Sequence, residues 1–230
     1  MTMVDWEIEQ AMQDGAIVIT PFNPDQLQAV SYDVRIGQFF WRTRDHNDKR
    51  EHRSKRALGK DLFEVSPYNA ADFDNKINLR PYERVLAHTI ESIGGTVAND
   101  GTYAVTTKIS AKSTAGRCGI TVCLCAGYGD PGYTRRWTLE VWNNNNCNVS
   151  IDVGSCIAQV EFVRIAVPRK LYGDAADGSE PRYALAGATD SDDTYKPEAM
   201  LPRKDLCSTS PFYVAPKPKP QPTPNTEEKP

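Results

Sequence analysis

Residues 111–163 set Ser113, Thr114, Arg117, Asp130, Glu140 and Gln159 among runs of β-branched and aromatic residues. In a β protein such runs fill the core, so polar side chains between them either face solvent or line a site. Glu140 is the sharpest case. It sits within WTLEVW, whose other members are apolar or aromatic apart from one threonine. A carboxylate in a pocket there could pass a proton between water and a substrate; on the opposite reading it is a solvent-facing strand residue. The stretch Lys112-Ser113-Thr114-Ala115-Gly116-Arg117 combines two hydroxyls, small residues and two cations. Such a stretch suits an oligophosphate approached by backbone N–H groups, and a plain polar turn would have the same composition. Asp130 opens an Asp-Pro-Gly sequence, a good turn in any protein. Taken together these residues point to a nucleotide-handling site on a β scaffold.

The elements that would position them can be read from periodicity. Val4, Ile8 and Met12 recur four apart, which predicts a short amphipathic helix over residues 4–14 with Gly15 as its stop. The run AIVIT then reads as a strand, PFNPDQ as a proline-rich turn, and SYDVRIGQFFWRT as an alternating strand. From residue 77 onward, short strands follow at about ten-residue spacing: INL, RVLAHTIE, YAVTTKI, ITVCLC, WTLEVWN, VSIDV and IAQVEFVRI. Clusters such as NDG, GYGDPG and NNNN separate them. The expected fold is mainly β, a distorted jelly roll or β-sandwich with a short N-terminal helix. The expected organisation is a β domain over 1–172, interrupted by a charged insertion at 42–76. A polar segment at 173–206 and a Pro/Lys-rich tail at 207–230 follow. The tail's composition favours an extended, unpacked chain.

The chain has 230 residues, 40% hydrophobic and 25% charged, enough to build a packed core. Its net charge of −3 argues against a general nucleic-acid binder. No apolar run approaches the roughly 20 residues that span a bilayer, and the acidic start MTMVDWEIEQ lacks a signal-peptide core. A cytoplasmic protein is expected. In that setting six cysteines are read as small buried hydrophobes rather than as a disulfide framework. Cys123 and Cys125 have C-x-C spacing, unlike the pairs of a zinc site, and no zinc is expected.

The ordered set of motifs resembles the dCTP deaminases and their dUTPase relatives. Lys112-Ser113-Thr114-Ala115-Gly116-Arg117-Cys118-Gly119 is similar to their serine-rich R-S-S-x-x-R-x-G segment. The stretch from Ala126 to Asp130-Pro131-Gly132-Tyr133 matches their A-x-x-x-D-P-G-aromatic turn. Leu139-Glu140-Val141-Trp142-Asn143 matches an L-E strand ending in Asn, and Gly154 to Gln159 a G-x-x-I-A-Q hairpin. Ser31-Tyr32-Asp33-Val34-Arg35-Ile36-Gly37 resembles the deaminases' S-x-D-V-R-L-G strand. The resemblance covers residues 5–40 and 77–165. It departs at Lys112, which stands for an arginine, at Gly127-Tyr128-Gly129, which replaces a bulkier stretch ending in Ile, and at Arg135-Arg136, where relatives have a glycine. Two glycines in the 126–129 loop predict extra mobility there.

The resemblance implies a homotrimer with active sites between subunits, and zinc-independent deamination of dCTP. It implies that Glu140 activates water, that Ser113 and Arg117 orient and polarise the reacting groups, and that Ala126 lends a backbone group to the water site. It places Lys112, Thr114 and Gln159 near the phosphates, and offers Tyr195 and Lys196 as the phosphate contacts of a C-terminal lid. Magnesium is expected on the triphosphate, not in a protein cage. Asp130 occupies the position of the dUTPase aspartate. A dUTPase or a bifunctional enzyme yielding dUMP therefore stays open, as does a non-catalytic nucleotide-binding protein of the same fold.

Overall fold

The computed structural model describes residues 1–42, 69–70, 74–124, 127–174 and 195–201. Helix α1 (Asp5–Gln13) opens the chain, buries Ile8 and Ala11, and stops at Gly15, whose φ of 74° is left-handed. Strands β1 (Ile17–Thr20), β2 (Leu27–Gln28) and β3 (Ser31–Arg42) follow. The proline-rich turn contains a single 3-10 turn at Pro24–Gln26. Of the expected insertion, Asn69–Ala70 forms β4 and pairs with β3, and the stretch ends as β5 (Lys76–Leu79) begins. Residues 43–68 and 71–73 lie outside the described residues, as does the tail at 207–230.

The remaining strands are β6 (Arg84–Gly95), β7 (Ala104–Ala111), β8 (Ile120–Thr121), β9 (Tyr128–Gly129), β10 (Arg135–Asn143), β11 (Val149–Asp152) and β12 (Cys156–Ile165). Among the described residues one sheet runs β8-β10-β6-β3-β12-β7-β9, with β1 on β6 and β2 and β4 on β3, and a second pairs β11 with β5. Every strand pairing among the described residues is antiparallel, as the short turn clusters require. The large sheet changes partner at β3. Residues from Tyr32 to Arg35 pair with β12, and those from Ile36 to Arg42 with β6. The crossing lies at Gly37, where an added Cβ would stand 1.9 Å from Cε1 of His88, so that only a glycine lets the two strands close there. Tyr32, Val34, Ile36, Val85, Ala87, Leu139, Val141, Val160 and Phe162 fill the enclosed core. The mainly β sandwich expected from the strand spacing is the observed architecture.

Two elements depart from the sequence reading. The run ITVCLC was expected to be one strand, but its ladder ends at Thr121. The backbone N–H of Leu124 is used instead by the side chain of Glu140. Residues 113–117, for which an oligophosphate-approaching segment and a plain polar turn both stood open, form the short helix α2 (Ser113–Arg117), which ends at Cys118 with Gly119 following at φ 71°.

Candidate active site

Strand alternation decides where Glu140 points. Trp137, Leu139 and Val141 of β10 are buried in the core, so Thr138, Glu140 and Trp142 face the other way. Their Cα partners on β6 are His88, Leu86 and Arg84. Glu140 is half-buried there, and its Oε2 accepts the Leu124 N–H at 3.0 Å. That bond fixes the carboxylate against the loop that follows β8. The Cys123 thiol is beside it: burial, and then the Glu140 charge, push this thiol up to about 12, so it stays neutral at physiological pH. The loop continues into Ala126, which lies outside the described residues.

Ser113 and Arg117 stand one turn apart on α2, which puts them on the same side of that helix; both are exposed. Thr114 is exposed too, and its carbonyl accepts from Cys118 N. Lys112 precedes the helix. Its N–H bonds the Ile157 carbonyl, and its ammonium pairs with the Asp33 carboxylate. Gln159 is Cα partner to both Asp33 and Ser110, so the structure gathers Lys112 and Gln159 around Asp33. Asp33 is nearly buried, and its Oδ1 has no hydrogen-bond partner among the described residues.

Behind Asp33 lies more polar structure than the sequence reading found. Glu91 is fully buried and accepts from Gln26 Nε2 at 2.9 Å, Arg35 N at 2.9 Å and Arg35 Nε at 2.6 Å. Gln26 Nε2 also donates to the Asp33 carbonyl at 2.7 Å. Buried charges need such pairing. The alternation of SYDVRIG, which sets Asp33 and Arg35 opposite Tyr32 and Val34, was the available signal.

Asp130 is exposed at the head of its turn, where its carbonyl accepts from Tyr133 N. The backbone of this turn is tied down: Gly132 N bonds Gly95 O, and Tyr172 N bonds Pro131 O. Gly129 is also fixed, with its carbonyl accepting from the hydroxyls of Thr106 and Thr107. Within the 126–129 stretch, Tyr128 and Gly129 form β9 and pair with Lys108 and Thr107 of β7. Gly129 is a strand residue under close packing, not a hinge.

The C-terminal segment at 195–201 covers the face of β3 and β6 beside Glu140. Tyr195 and Met200 are buried with Trp41 and Leu86, the Cα partner of Glu140. Tyr195 stacks on Phe39 and meets the His88 ring at a tilt, the Arg136 guanidinium lies 4.9 Å from its ring centre, and Trp41 Nε1 donates to Pro197 O at 2.8 Å. Its ring is therefore engaged in packing, while Lys196 is exposed. The cysteine reading is corrected as well. Cys118 and Cys147 are exposed, and Cys123 and Cys156 are half-buried.

The family model described as dCTP deaminase-like matches residues 2–165 of this chain. The chain belongs to this family. Among curated members, a dUMP-forming dCTP deaminase of Beutenbergia cavernae is 32% identical over 184 residues, 78% of this chain and 88% of its own. One of Tropheryma whipplei, of the same description, is 31% identical over 178 residues, 75% and 83%. A solved 2'-deoxycytidine 5'-triphosphate deaminase from Agrobacterium tumefaciens is 19% identical, covering 72% of this chain and 48% of its own, with a TM-score of 0.48. Within the dCTP deaminase-like match fall α2, the Asp130 turn, β10 with Glu140 and β12 with Gln159. The segment at 195–201 lies beyond it. No described helix is long and apolar enough to cross a membrane.

Proposed function

We propose that this member of the dCTP deaminase-like family hydrolyses the 4-amino group of a cytosine deoxynucleotide, with dCTP as substrate, giving dUTP and ammonia. The placement of Glu140 carries the reading. It is a half-buried carboxylate on the outward face of β10, between the buried Leu139 and Val141, held by a backbone N–H and flanked by a neutral thiol.

Water adds to C4 of the ring and ammonia leaves. Glu140 takes a proton from that water and delivers it to nitrogen, so one group serves both steps. Arg117 and Ser113 stabilise and orient the charge that develops on the ring. A backbone group of Ala126 completes the water site. Lys112, Thr114 and Gln159 lie along the phosphates, with Lys196 as a further cation for them. Tyr195 joins them only if its ring leaves its packed position. No zinc is required by this scheme, and magnesium accompanies the triphosphate. The exposure of Ser113, Thr114, Arg117 and Asp130 in the single chain supports sites completed by a neighbouring subunit of a homotrimer. We place the protein in the cytoplasm, where its substrate would be.

A second reading adds cleavage of the triphosphate to give dUMP, with Asp130 orienting the attacking water. The description of the relatives as dUMP-forming favours it. One assay separates the readings: incubate the protein with dCTP, and separately with dUTP, and follow ammonia and pyrophosphate. Ammonia with dUTP as end product supports deamination alone. Ammonia and pyrophosphate together support the dUMP-forming enzyme. Neither product would overturn both and leave a nucleotide-binding protein.

A further inference from the structure

The helix that carries Ser113 and Arg117 has little of its own to hold it. Ser113, Thr114, Gly116 and Arg117 are exposed, and only Ala115 packs against the core. A single turn of helix does not persist unaided. Lys112 ties the N-terminal end through its N–H and its ammonium. At the other end the last carbonyls need donors.

Those donors come from the residues that follow β10. Asn145 Nδ2 donates to the carbonyl of Cys118, next to Arg117, at 2.9 Å. Asn144 reaches the Gly119 carbonyl with both its N–H, at 2.9 Å, and its Nδ2, at 3.1 Å; the same Nδ2 meets Thr121 Oγ1 at 2.8 Å. Asn145 is itself immobilised. Its N–H and Nδ2 both donate to Asn143 Oδ1, at 3.0 and 2.9 Å, and its carbonyl accepts from Tyr82 N. Asn143 is buried and donates to the carbonyls of Arg80 and Cys147 at 2.9 Å each. The contact is also close: an added Cβ at Gly119 would lie 2.6 Å from Asn145 Oδ1.

We propose that Asn145, seconded by Asn144, is a positioning residue for the reaction: it clamps the helix end that bears Arg117 to the end of the strand that bears Glu140. This rests on the roles given to Arg117 and Glu140 under the proposed function. The run of asparagines is therefore not merely a turn. Each amide nitrogen carries two N–H donors, which lets one short side chain reach two acceptors at once.

The test uses the full chain with Asn145→Ala and Asn145→Asp; the second keeps the side-chain size but removes the donor. Backbone hydrogen exchange without nucleotide is read at Gly116, Cys118 and Gly119, whose N–H groups close this turn. Exchange there should quicken about tenfold while the core strands are unchanged. With dCTP, kcat should fall about tenfold, with KM within about twofold and the melting temperature nearly constant. Unchanged exchange overturns the clamp. Faster exchange with unaltered kcat, or a loss of kcat that only follows a loss of melting temperature, overturns the positioning role. If the unsubstituted protein itself releases no ammonia from dCTP, it is the deaminase reading that fails, and the exchange data alone then decide for or against the clamp.

Discussion

Trp137 occupies the space that a side chain at Gly129 would need. An added Cβ at Gly129 would lie 2.5 Å from Cζ2 of Trp137 and 2.3 Å from Oγ1 of Thr107. The indole is buried, donates its Nε1–H to the Ile93 carbonyl at 2.9 Å, and meets the Tyr133 ring edge-on. A large residue on β10 and no side chain on β9 thus make a matched pair that fixes the strand just before Asp130.

A bulky residue at position 129 should therefore be harmful, and less so where the indole is reduced as well. Gly129→Ile should destabilise the fold by about 1–3 kcal/mol, as overpacked cores do. The loss in the double variant Gly129→Ile, Trp137→Val should be smaller than the sum of the two single losses, since neighbours that share one space are not additive. Urea unfolding of the two single variants and the double variant measures the coupling. A strictly additive result would mean that the two positions do not compete for the same volume.

This pair shows what was legible in the sequence and what was not. Strand spacing and alternation gave the β architecture and the short N-terminal helix, because those depend on local periodicity, but left Glu140 open between a pocket and the solvent face. The motif order placed Ser113, Arg117, Asp130, Glu140 and Gln159 within one matched domain. The reason for Gly129 was hidden, because it lies in a contact between residues eight apart in sequence and on different strands. The Lys112–Asp33 pair spans 79 positions and the Arg35–Glu91 pair 56, and no pattern in one chain signals such partners. Asn144 and Asn145 resembled an ordinary turn, since their role depends on which backbone carbonyls the fold brings opposite them.

Glu140→Gln isolates the carboxylate from its surroundings. The amide oxygen can still accept the Leu124 N–H that Oε2 accepts now, so the loop should keep its place. The proton shuttle is lost. Ammonia release from dCTP should fall by about 10²–10⁴-fold, while nucleotide affinity, measured by calorimetry, stays within a few-fold. Near-normal turnover in this variant would remove Glu140 from the chemistry.

Glu91 should matter for stability rather than for the reaction. It is fully buried and holds Gln26, Arg35 N and the Arg35 guanidinium together. Glu91→Ala leaves that guanidinium without its carboxylate and should cost about 3–5 kcal/mol, the usual penalty for removing one partner of a buried pair. Glu91→Gln keeps acceptor oxygen and volume, and should cost less. Chemical denaturation of both variants gives the order; equal losses would show that the charge carries the whole effect and that the retained acceptor and volume contribute nothing.

Glu83 gives the fold a definite pH dependence. Burial pushes its carboxyl up, but Arg42 and Arg80 outweigh burial and hold it below the ordinary value of 4.5. The contacts are direct: Arg42 Nη1 at 2.5 Å, Arg80 N at 2.8 Å and Arg80 Nη2 at 3.0 Å. A folded-state pKa below the unfolded one means that the folded chain binds the proton more weakly. The resulting stabilisation is complete above 4.5 and is lost as the pH falls from there through the lowered folded value. Glu83→Gln, which cannot ionise, should be less stable than the unsubstituted protein by a constant margin at neutral pH. That margin should shrink as unfolding is followed below 4.5. A margin independent of pH would show that the two arginines stabilise the uncharged side chain as well as the carboxylate.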